Sequence, residues 1–208
     1  MDCPLCENDA QFFAIYDKRE YLQCTYCDSL FLNSKDLPHP RAEKERYDYH
    51  ENTIKNEGYL EFLQPLINSV KANFSREDSG LDFGSGPTPV FSKLLKMEGF
   101  NITTYDPIYK HSESIFRKQY DYIVCCEVIE HFHQPKEEFN TLDDLLKPNG
   151  SLLCKTSLYD SSIDFEQWAY KNDFTHSFFY TFKALEYIQQ NWNFRKLDVT
   201  SELIFFQK

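Results

Sequence analysis

LDFGSGPTP, residues 81–89, contains two glycines, one on each side of a serine. The surrounding sequence predicts a strand through Asp82, a sharp turn at Gly84 and Gly86, and a helix from about Thr88 to Gly99. Glycines suit a turn where the backbone bends sharply and a ligand approaches closely, and the helix that follows offers free N–H groups. This strand, turn and helix therefore predict a ligand-binding edge of an α/β sheet.

A second strand is predicted at NITTYDP, which ends in Asp106, twenty-four residues after Asp82. A carboxylate at this position can accept hydrogen bonds from both ribose hydroxyls of a nucleoside. A structural turn with an exposed aspartate is the alternative. The remaining strands of the sheet are predicted at residues 120–126, 151–157, 194–200 and 202–207, the last two as a closing β-hairpin.

CCEVIEHFHQP, residues 125–135, follows a predicted strand, so its polar side chains are expected at the carboxyl end of the sheet, facing a cleft. With a helical turn there, Glu127, Glu130 and His131 share one face at i, i+3 and i+4. Together with His176 they predict a site for a hard divalent ion, Mg or Mn. Two metal-free alternatives stay open: a catalytic set of His131, His176 and Glu130 with a histidine as general base, or a structural cluster.

Four of the seven cysteines form two Cys-x-x-Cys pairs with seventeen residues between them, the spacing that brings four thiolates around a tetrahedral zinc ion. Residues 1–33 are therefore predicted to form a zinc ribbon, in which the metal replaces a core that so short a segment cannot build. A disulfide framework is the alternative. The predicted zinc ligands are Cys3, Cys6, Cys24 and Cys27. The other three cysteines lie in apolar runs and are predicted to be core residues: Cys125, Cys126 and Cys154.

Residues 34–56 are polar and contain Pro38 and Pro40, which are expected to break regular structure. They are predicted as a linker or lid between the ribbon and a main domain of residues 57–208. The main domain is predicted to begin with an amphipathic helix, bent near Pro65.

Within the linker, Arg46, Tyr47 and His50 combine charge with aromatic rings. These side chains could cap a pocket, or they could lie on a solvated helix face, which is the interpretation we favour from sequence. His133 is predicted only to lead into the next helix.

The formal charge of -11, from 22 basic and 33 acidic residues, argues against a protein whose affinity comes from neutralising many phosphates. The N-terminus has no basic and then apolar leader, and no apolar run approaches the roughly eighteen residues that span a bilayer. We therefore expect a cytoplasmic protein without a membrane span, for which nucleic acid is a disfavoured partner.

The order of these motifs resembles the class I S-adenosylmethionine-dependent methyltransferases. LDFGSGPTP looks like the first motif of that superfamily, YDP like its acidic second motif, YDYIVCCEVIEHF like its fourth-strand motif, and LKPNGSLLCKT like the turn and fifth strand. The resemblance implies a Rossmann-like, seven-stranded-type sheet whose last strand runs antiparallel to the others. Only fourteen residues separate Asp106 from Asp121, so the third strand is expected to be reduced.

The resemblance also implies that S-adenosylmethionine is the cofactor. It carries over to Asp82, Gly84, Gly86 and Asp106 as cofactor-binding residues, with Glu127 near the methionine end. Where many relatives have a third glycine, this chain has Thr88.

The Glu-x-x-Glu-His pattern with a later histidine is similar to the metal site of small-RNA 3′-end 2′-O-methyltransferases and to a segment of ubiquinone-pathway O-methyltransferases. The likeness to the ubiquinone-pathway enzymes implies O-methylation of a small molecule. Methylation of RNA is one alternative. The other is a non-catalytic binding module, in which the ribbon docks a protein partner and the methyltransferase fold is degenerate.

Overall fold

The computed structural model describes residues 1–49 and 52–208, and the predicted role of His50 therefore lies outside the described residues. In this part of the chain the strands are β1 (Ala10–Tyr16), β2 (Arg19–Cys24), β3 (Leu30–Leu32), β4 (Ser79–Phe83), β5 (Asn101–Tyr105), β6 (Tyr120–Cys126), β7 (Leu146–Lys155), β8 (Phe178–Phe179), β9 (Lys196–Val199) and β10 (Ile204–Gln207). The α-helices are α1 (Pro40–Asp48), α2 (Glu57–Asn73), α3 (Val90–Met97), α4 (Pro135–Leu145) and α5 (Phe182–Asn191).

A six-stranded sheet with the order β5-β4-β6-β7-β10-β9 forms the centre of the main domain. Strands β5, β4, β6 and β7 are parallel neighbours, whereas β10 lies antiparallel between β7 and β9. The predicted terminal hairpin and its antiparallel last strand are thus confirmed. Between Asp106 and β6 the chain is described without a gap and forms an isolated bridge between Asp106 and Lys110 and a 3-10 turn, Glu113–Arg117, in agreement with the predicted reduction of the third strand.

Helices cover both faces of this sheet. The buried face of α2 packs with α3 against one side, and the buried residues of α4 and α5 pack against the other. The predicted amphipathic helix is confirmed as α2, which contains Pro65. Helix α3 begins at Val90, two residues later than predicted, because Thr88 precedes Pro89 and a residue before proline disfavours the helical conformation.

A second, four-stranded sheet with the order β1-β2-β3-β8 contains the N-terminal segment. Strands β1 to β3 form an antiparallel meander. The fourth strand, β8, comes from the far end of the chain and pairs antiparallel with β3. The N-terminal segment is therefore joined to the main domain by a shared sheet.

The segment between the ribbon and α2 contains the helix α1, which carries Arg46 and Tyr47 and begins at Pro40. Pro40 does not break structure but occupies the first position of α1, where its missing N–H would have had no helical partner. The side chain of His39 caps the helix by accepting a hydrogen bond from the Arg41 N–H. The expectation that Pro40 ends regular structure was therefore wrong.

The three cysteines predicted to be core residues divide into two kinds. Cys125 and Cys154 are fully buried and lie opposite each other on β6 and β7. Cys126 is only partly buried and lines the cleft described below, so the prediction was wrong for this residue.

Each helix within the described ranges is too short or too polar to cross a membrane.

Candidate active site

A cleft of about 970 Å³ opens at the carboxyl ends of β4, β5 and β6. This is where ligands gather in open parallel sheets, because the loops that follow neighbouring strands diverge there. The cleft is closed on the other side by α1 and by the chain around residues 169–176. Among the predicted site residues, seven line it: Asp82, Gly84, Gly86, Asp106, Glu127, His131 and His176.

The glycine turn follows β4 directly. Gly84 and Gly86 have φ angles of 77° and 64°, in the left-handed region that favours glycine. The N–H groups of Gly84 and Ser85 both donate to the carbonyl of Tyr105 at 2.9 Å, which ties the turn to β5. A Cβ on Gly84 would lie 2.6 Å from the Val128 side chain, whereas a Cβ on Gly86 would meet nothing within 4 Å. The space above Gly86 is therefore open to a ligand.

Asp106 lies at the end of β5 and is buried. Its carboxylate accepts hydrogen bonds from three backbone N–H groups, of Gly86 at 2.9 Å, Ile108 at 2.8 Å and Tyr109 at 2.9 Å. A carboxylate has about four acceptor positions, so one remains for a further donor. Asp106 therefore fixes the glycine turn in addition to its predicted ligand-binding role.

Asp82, on β4, is 4% exposed and accepts a hydrogen bond from the Ser92 hydroxyl at 2.6 Å. Burial raises the pKa of Asp82 to about 6, against the lowering effect of the Ser92 bond. Ser92 lies in the first turn of α3, so this contact joins the strand before the glycine turn to the helix after it. The sequence analysis did not identify Ser92, which is one small polar residue on an otherwise apolar helix face.

Two carboxyl groups meet around Tyr170 where β6 ends. The Tyr170 hydroxyl contacts Glu130 Oε1 at 2.5 Å, Glu127 Oε2 at 3.1 Å and Thr156 Oγ1 at 3.0 Å. Glu127 has a φ of 51°, a left-handed conformation that turns the chain sharply after the strand. Tyr170 was missed by the sequence analysis, because it lies forty residues beyond Glu130 and only the fold brings the two together.

Both carboxyl groups have raised pKa values, mainly because they are buried. Burial, followed by the charge of Glu130, raises the pKa of Glu127 to about 8. Burial raises the pKa of Glu130 to about 7, against the hydrogen bond from Tyr170. Glu130 is fully buried and does not line the cleft, so it can reach a ligand only through its neighbours.

His131 and His176 lie side by side, with ring centroids 4.8 Å apart. Nδ1 of His131 is 3.0 Å from the Thr175 carbonyl, and Nδ1 of His176 is 2.7 Å from the Tyr170 carbonyl. Because a carbonyl can only accept, both Nδ1 atoms carry the proton and both Nε2 atoms carry a lone pair in the neutral rings.

Both imidazoles are held neutral. Burial lowers the pKa of His131. Burial, followed by the neighbouring His131, lowers the pKa of His176 to about 4. At neutral pH each ring is therefore uncharged and has an unprotonated Nε2.

The predicted Mg or Mn site is not supported. Glu130, His131 and His176 have ligand atoms within 4.8 Å of one another, but Glu127 does not belong to this group. Two imidazoles and a single carboxylate do not make the oxygen-rich set that Mg and Mn prefer.

Helix α1 covers the side of the cleft that contains His131 and His176. Arg46 forms an ion pair with Asp173 at 2.8 Å, Glu43 contacts His133 Nε2 at 3.0 Å, and the Tyr47 ring packs edge-on against His131. The favoured interpretation of Arg46 and Tyr47 as a solvated face was therefore wrong, and capping of a pocket is what these residues do. His133 likewise does more than lead into α4.

The four predicted zinc ligands meet in the N-terminal segment and are buried. Sγ separations are 3.8 Å for Cys3 and Cys27, 3.4 Å for Cys6 and Cys24, and 3.7 Å for Cys6 and Cys27. Sulfur ligands about 2.3 Å from a tetrahedral zinc ion lie about 3.8 Å from one another, so the thiol set fits zinc. The predicted clustering is confirmed, and the alternative of a disulfide framework is not, since all four cysteines are free.

Comparison with known proteins gives one family. The profile described as "Methyltransferase domain" matches residues 51–199. The ubiquinone biosynthesis O-methyltransferase of Erwinia tasmaniensis is 30% identical over 91 residues, and that of Proteus mirabilis is 26% identical over 92 residues. Each alignment covers 44% of this chain and 37% of the relative, so this chain matches little more than a third of the length of these enzymes.

Solved structures share the fold at low sequence identity. Burkholderia thailandensis 1,6-didemethyltoxoflavin-N1-methyltransferase, with 1,6-didemethyltoxoflavin and S-adenosylhomocysteine bound, has a TM-score of 0.55 and 14% identity over 96% of this chain and 99% of that chain. Magnesium protoporphyrin IX methyltransferase of Synechocystis PCC 6803, with S-adenosylhomocysteine bound, has a TM-score of 0.57 and 12% identity over 81% of this chain and 94% of that chain. The fold class and the motif resemblance predicted from sequence are confirmed.

Proposed function

The chain belongs to the methyltransferase-domain family, and on that premise we propose that it transfers the methyl group of S-adenosylmethionine to a hydroxyl oxygen of a small molecule. One observation carries the proposal. A single cleft has a glycine turn with open space at one end and two neutral imidazoles, His131 and His176, at the other. A cofactor and a proton-bearing acceptor can therefore meet in it.

At the cofactor end, the open space above Gly86 and the free acceptor position of Asp106 fit a nucleoside that lies along the glycine turn. Glu127 lines the cleft further along, where an ammonium or sulfonium group would favour ionisation of its carboxyl group. S-adenosylmethionine would supply an electrophilic methyl group on a positively charged sulfur, so the chain itself has only to bind and orient.

At the acceptor end, the chain supplies the proton acceptor. Nε2 of His176 or His131 would accept the proton that the acceptor hydroxyl loses when its oxygen is methylated. The Nδ1 bonds to backbone carbonyls keep both rings in the tautomer that this step requires. Glu130 is too buried to touch the acceptor and acts as a positioning residue, through Tyr170.

The acceptor we propose is small and carries no net negative charge. Carboxylates dominate the charged groups of the cleft wall, and Arg46 is already paired with Asp173. A volume of about 970 Å³ for cofactor and acceptor together is within the usual range for small-molecule sites. The choice of oxygen as the methylated atom rests on the similarity to ubiquinone biosynthesis O-methyltransferases over less than half of the chain.

We further propose that Cys3, Cys6, Cys24 and Cys27 hold a structural zinc ion in residues 1–33, because four buried thiols with this spacing have no other shared partner in the described part of the chain. A closed set of four thiolates leaves no open position for catalysis. The ion would stabilise the fold of the ribbon and would take no part in methyl transfer.

Calorimetric titration with S-adenosylhomocysteine tests the cofactor site. We expect saturable binding in the micromolar range by the zinc-loaded protein. Absence of binding heat at several temperatures would refute the proposal and would favour the non-catalytic binding module.

Release of S-adenosylhomocysteine in the presence of a panel of small phenols and alcohols tests the acceptor. We expect His176→Gln to reduce turnover by about 10²–10⁴-fold, the usual contribution of a general base. Its affinity for S-adenosylhomocysteine should remain unchanged. His111→Gln, at an exposed histidine that does not line the cleft, is the matched control and should retain turnover. Equal turnover in the two variants would exclude His176 as the base.

A further inference from the structure

The chain around His176 has little regular structure of its own. Residues 168–181, here called the acceptor segment, contain only a 3-10 turn, Ala169–Asn172, and the two-residue strand β8. This segment nevertheless carries Tyr170, Asp173 and His176, which line the cleft. Something outside the segment must fix these side chains, because short irregular segments have few internal contacts to hold them.

The ribbon supplies backbone contacts to the acceptor segment. Strand β3 pairs with β8, with Leu30 opposite Phe179 and Phe31 opposite Phe178. The N–H of Leu32 also donates to the Ser177 carbonyl at 2.9 Å, directly beside His176. The ribbon thus completes a sheet with the segment that carries a proposed base.

Side chains of the ribbon hairpin reach the same segment. Arg19 Nη1 donates to the Phe174 carbonyl at 3.0 Å, and the Tyr16 hydroxyl donates to Asn172 Oδ1 at 2.9 Å. The Tyr16 ring also lies 3.7 Å below the ammonium group of Lys171, which is completely buried. A buried lysine without a carboxylate needs such a cation–π contact together with its hydrogen bonds to backbone carbonyls.

The metal loop itself holds the end of the acceptor segment. The Thr181 hydroxyl donates to the carbonyl of Cys27 at 2.6 Å, and Lys183 pairs with Asp28 at 3.2 Å. Cys27 is one of the four proposed zinc ligands. A shift of the loop that contains Cys27 would therefore move the chain that follows β8.

The cofactor end has no such connection. All of residues 1–33 are described, and none of them lines the cleft. The glycine turn is instead held by Tyr105 and Asp106 of the central sheet.

We propose that the ribbon is a fixed wall behind the acceptor end of the cleft, and that Tyr16 and Arg19 are positioning residues that hold Tyr170 and His176 in place. This inference rests on the proposed function. It states that the acceptor segment is ordered only when the ribbon is folded, whereas cofactor binding does not depend on the ribbon. Displacement of catalytic groups by about 1 Å is enough to cost a hundredfold in rate, so this dependence would control activity.

Two variants test the inference with zinc retained. Arg19→Met and Tyr16→Leu remove the contacts to Phe174, Asn172 and Lys171, and Ile15→Ser, at a 68% exposed position of the same strand, is the matched control. Hydrogen exchange should become at least tenfold faster in residues 172–177 of the first two variants and remain unchanged in the control. Nitrogen NMR of the His176 ring should show loss of the single Nδ1–H tautomer in the same two variants.

Binding of S-adenosylhomocysteine separates this inference from the proposed function. All three variants should bind it within about threefold of the parent protein, a change of less than about 0.7 kcal/mol in binding free energy. If the parent protein does not bind S-adenosylhomocysteine, the proposed function fails. The hydrogen-exchange measurements on residues 172–177 still test the inference in that case. Unchanged exchange and an unchanged His176 tautomer in Arg19→Met and Tyr16→Leu would overturn the inference.

Removal of zinc by a chelator gives an independent measurement. Exchange should rise together in residues 1–33 and in the acceptor segment, while the peptide that contains the glycine turn remains protected. Faster exchange confined to residues 1–33 would overturn the inference. If the chelator unfolds the whole chain, the zinc-loaded variants decide.

Discussion

Gly84 and Gly86 have similar left-handed backbones but different surroundings, and this difference yields a paired test. Alanine at either position must adopt a left-handed conformation. At Gly84 the added Cβ would also lie 2.6 Å from Val128 Cγ2, far inside van der Waals contact. At Gly86 it would project into open space above the turn, where the cofactor is proposed to lie.

The two substitutions should therefore differ in stability. The left-handed conformation costs roughly 1–2 kcal/mol at both positions. Overpacking against Val128 adds about 1–3 kcal/mol at Gly84 alone. We expect Gly86→Ala to lose about 1–2 kcal/mol and Gly84→Ala about 2–5 kcal/mol of the free energy of unfolding. For a chain of this size, each kcal/mol lowers the Tm by about 2–4 °C.

Thermal unfolding and calorimetry with S-adenosylhomocysteine provide the assay. Gly86→Ala should remain folded and bind the ligand at least tenfold more weakly, whereas Gly84→Ala should bind it normally at temperatures where it is folded. Val128→Ala should restore part of the lost stability in the Gly84→Ala background and none in the Gly86→Ala background. Normal binding by Gly86→Ala would show that the cofactor does not approach this turn, and equal stability of the two variants would refute the packing argument.

Three further predictions concern acidic residues in or beside the cleft. The folded protein holds a proton on Glu130 that the unfolded chain releases between pH 4.5 and about 7, so wild-type stability falls as pH rises through this window. Glu130→Gln removes this titration. Its free energy of unfolding relative to wild type, measured by urea unfolding, should therefore rise by about 3 kcal/mol from pH 4.5 to pH 8. A difference between the two proteins that does not change with pH would contradict the raised pKa of Glu130. Asp106→Asn places an amide among three backbone donors and should weaken S-adenosylhomocysteine binding at least tenfold in calorimetry, whereas Asp144→Asn, at a residue outside the cleft, should not. Asp173→Asn weakens the pair with Arg46 and should increase proteolysis within α1 without changing cofactor affinity; equal cleavage would show that this pair does not hold the helix.

Local patterns were sufficient for much of the fold. The strands around LDFGSGPTP and YDYIVCC, the amphipathic helix α2 and the closing hairpin were all predicted, because each depends on periodicity and turn residues within about twenty positions. The clustering of four thiols was predicted for the same reason, since two turns of fixed spacing set it. Pro40 shows the limit of this reasoning. A proline can end a helix or occupy its first turn, and the residue type alone does not distinguish the two positions.

The candidate site depends on contacts between distant segments, and here the sequence was only a partial guide. It identified His131 and His176 and left three interpretations open, of which the Mg or Mn site is not supported by the structure. It missed Tyr170, because a single tyrosine in an irregular segment has no local signal.

By itself the sequence determined the strand, turn and helix around Gly84 and Gly86 and the four-thiol cluster, because these follow from short-range spacing. Only the tertiary structure decided that Tyr170 joins two carboxyl groups, that α1 covers the acceptor side, and that β8 completes the ribbon sheet. Each of these contacts joins residues separated by at least forty positions. Burial in the folded chain also sets the pKa values of the carboxyl and imidazole groups, and no linear pattern encodes the extent of that burial.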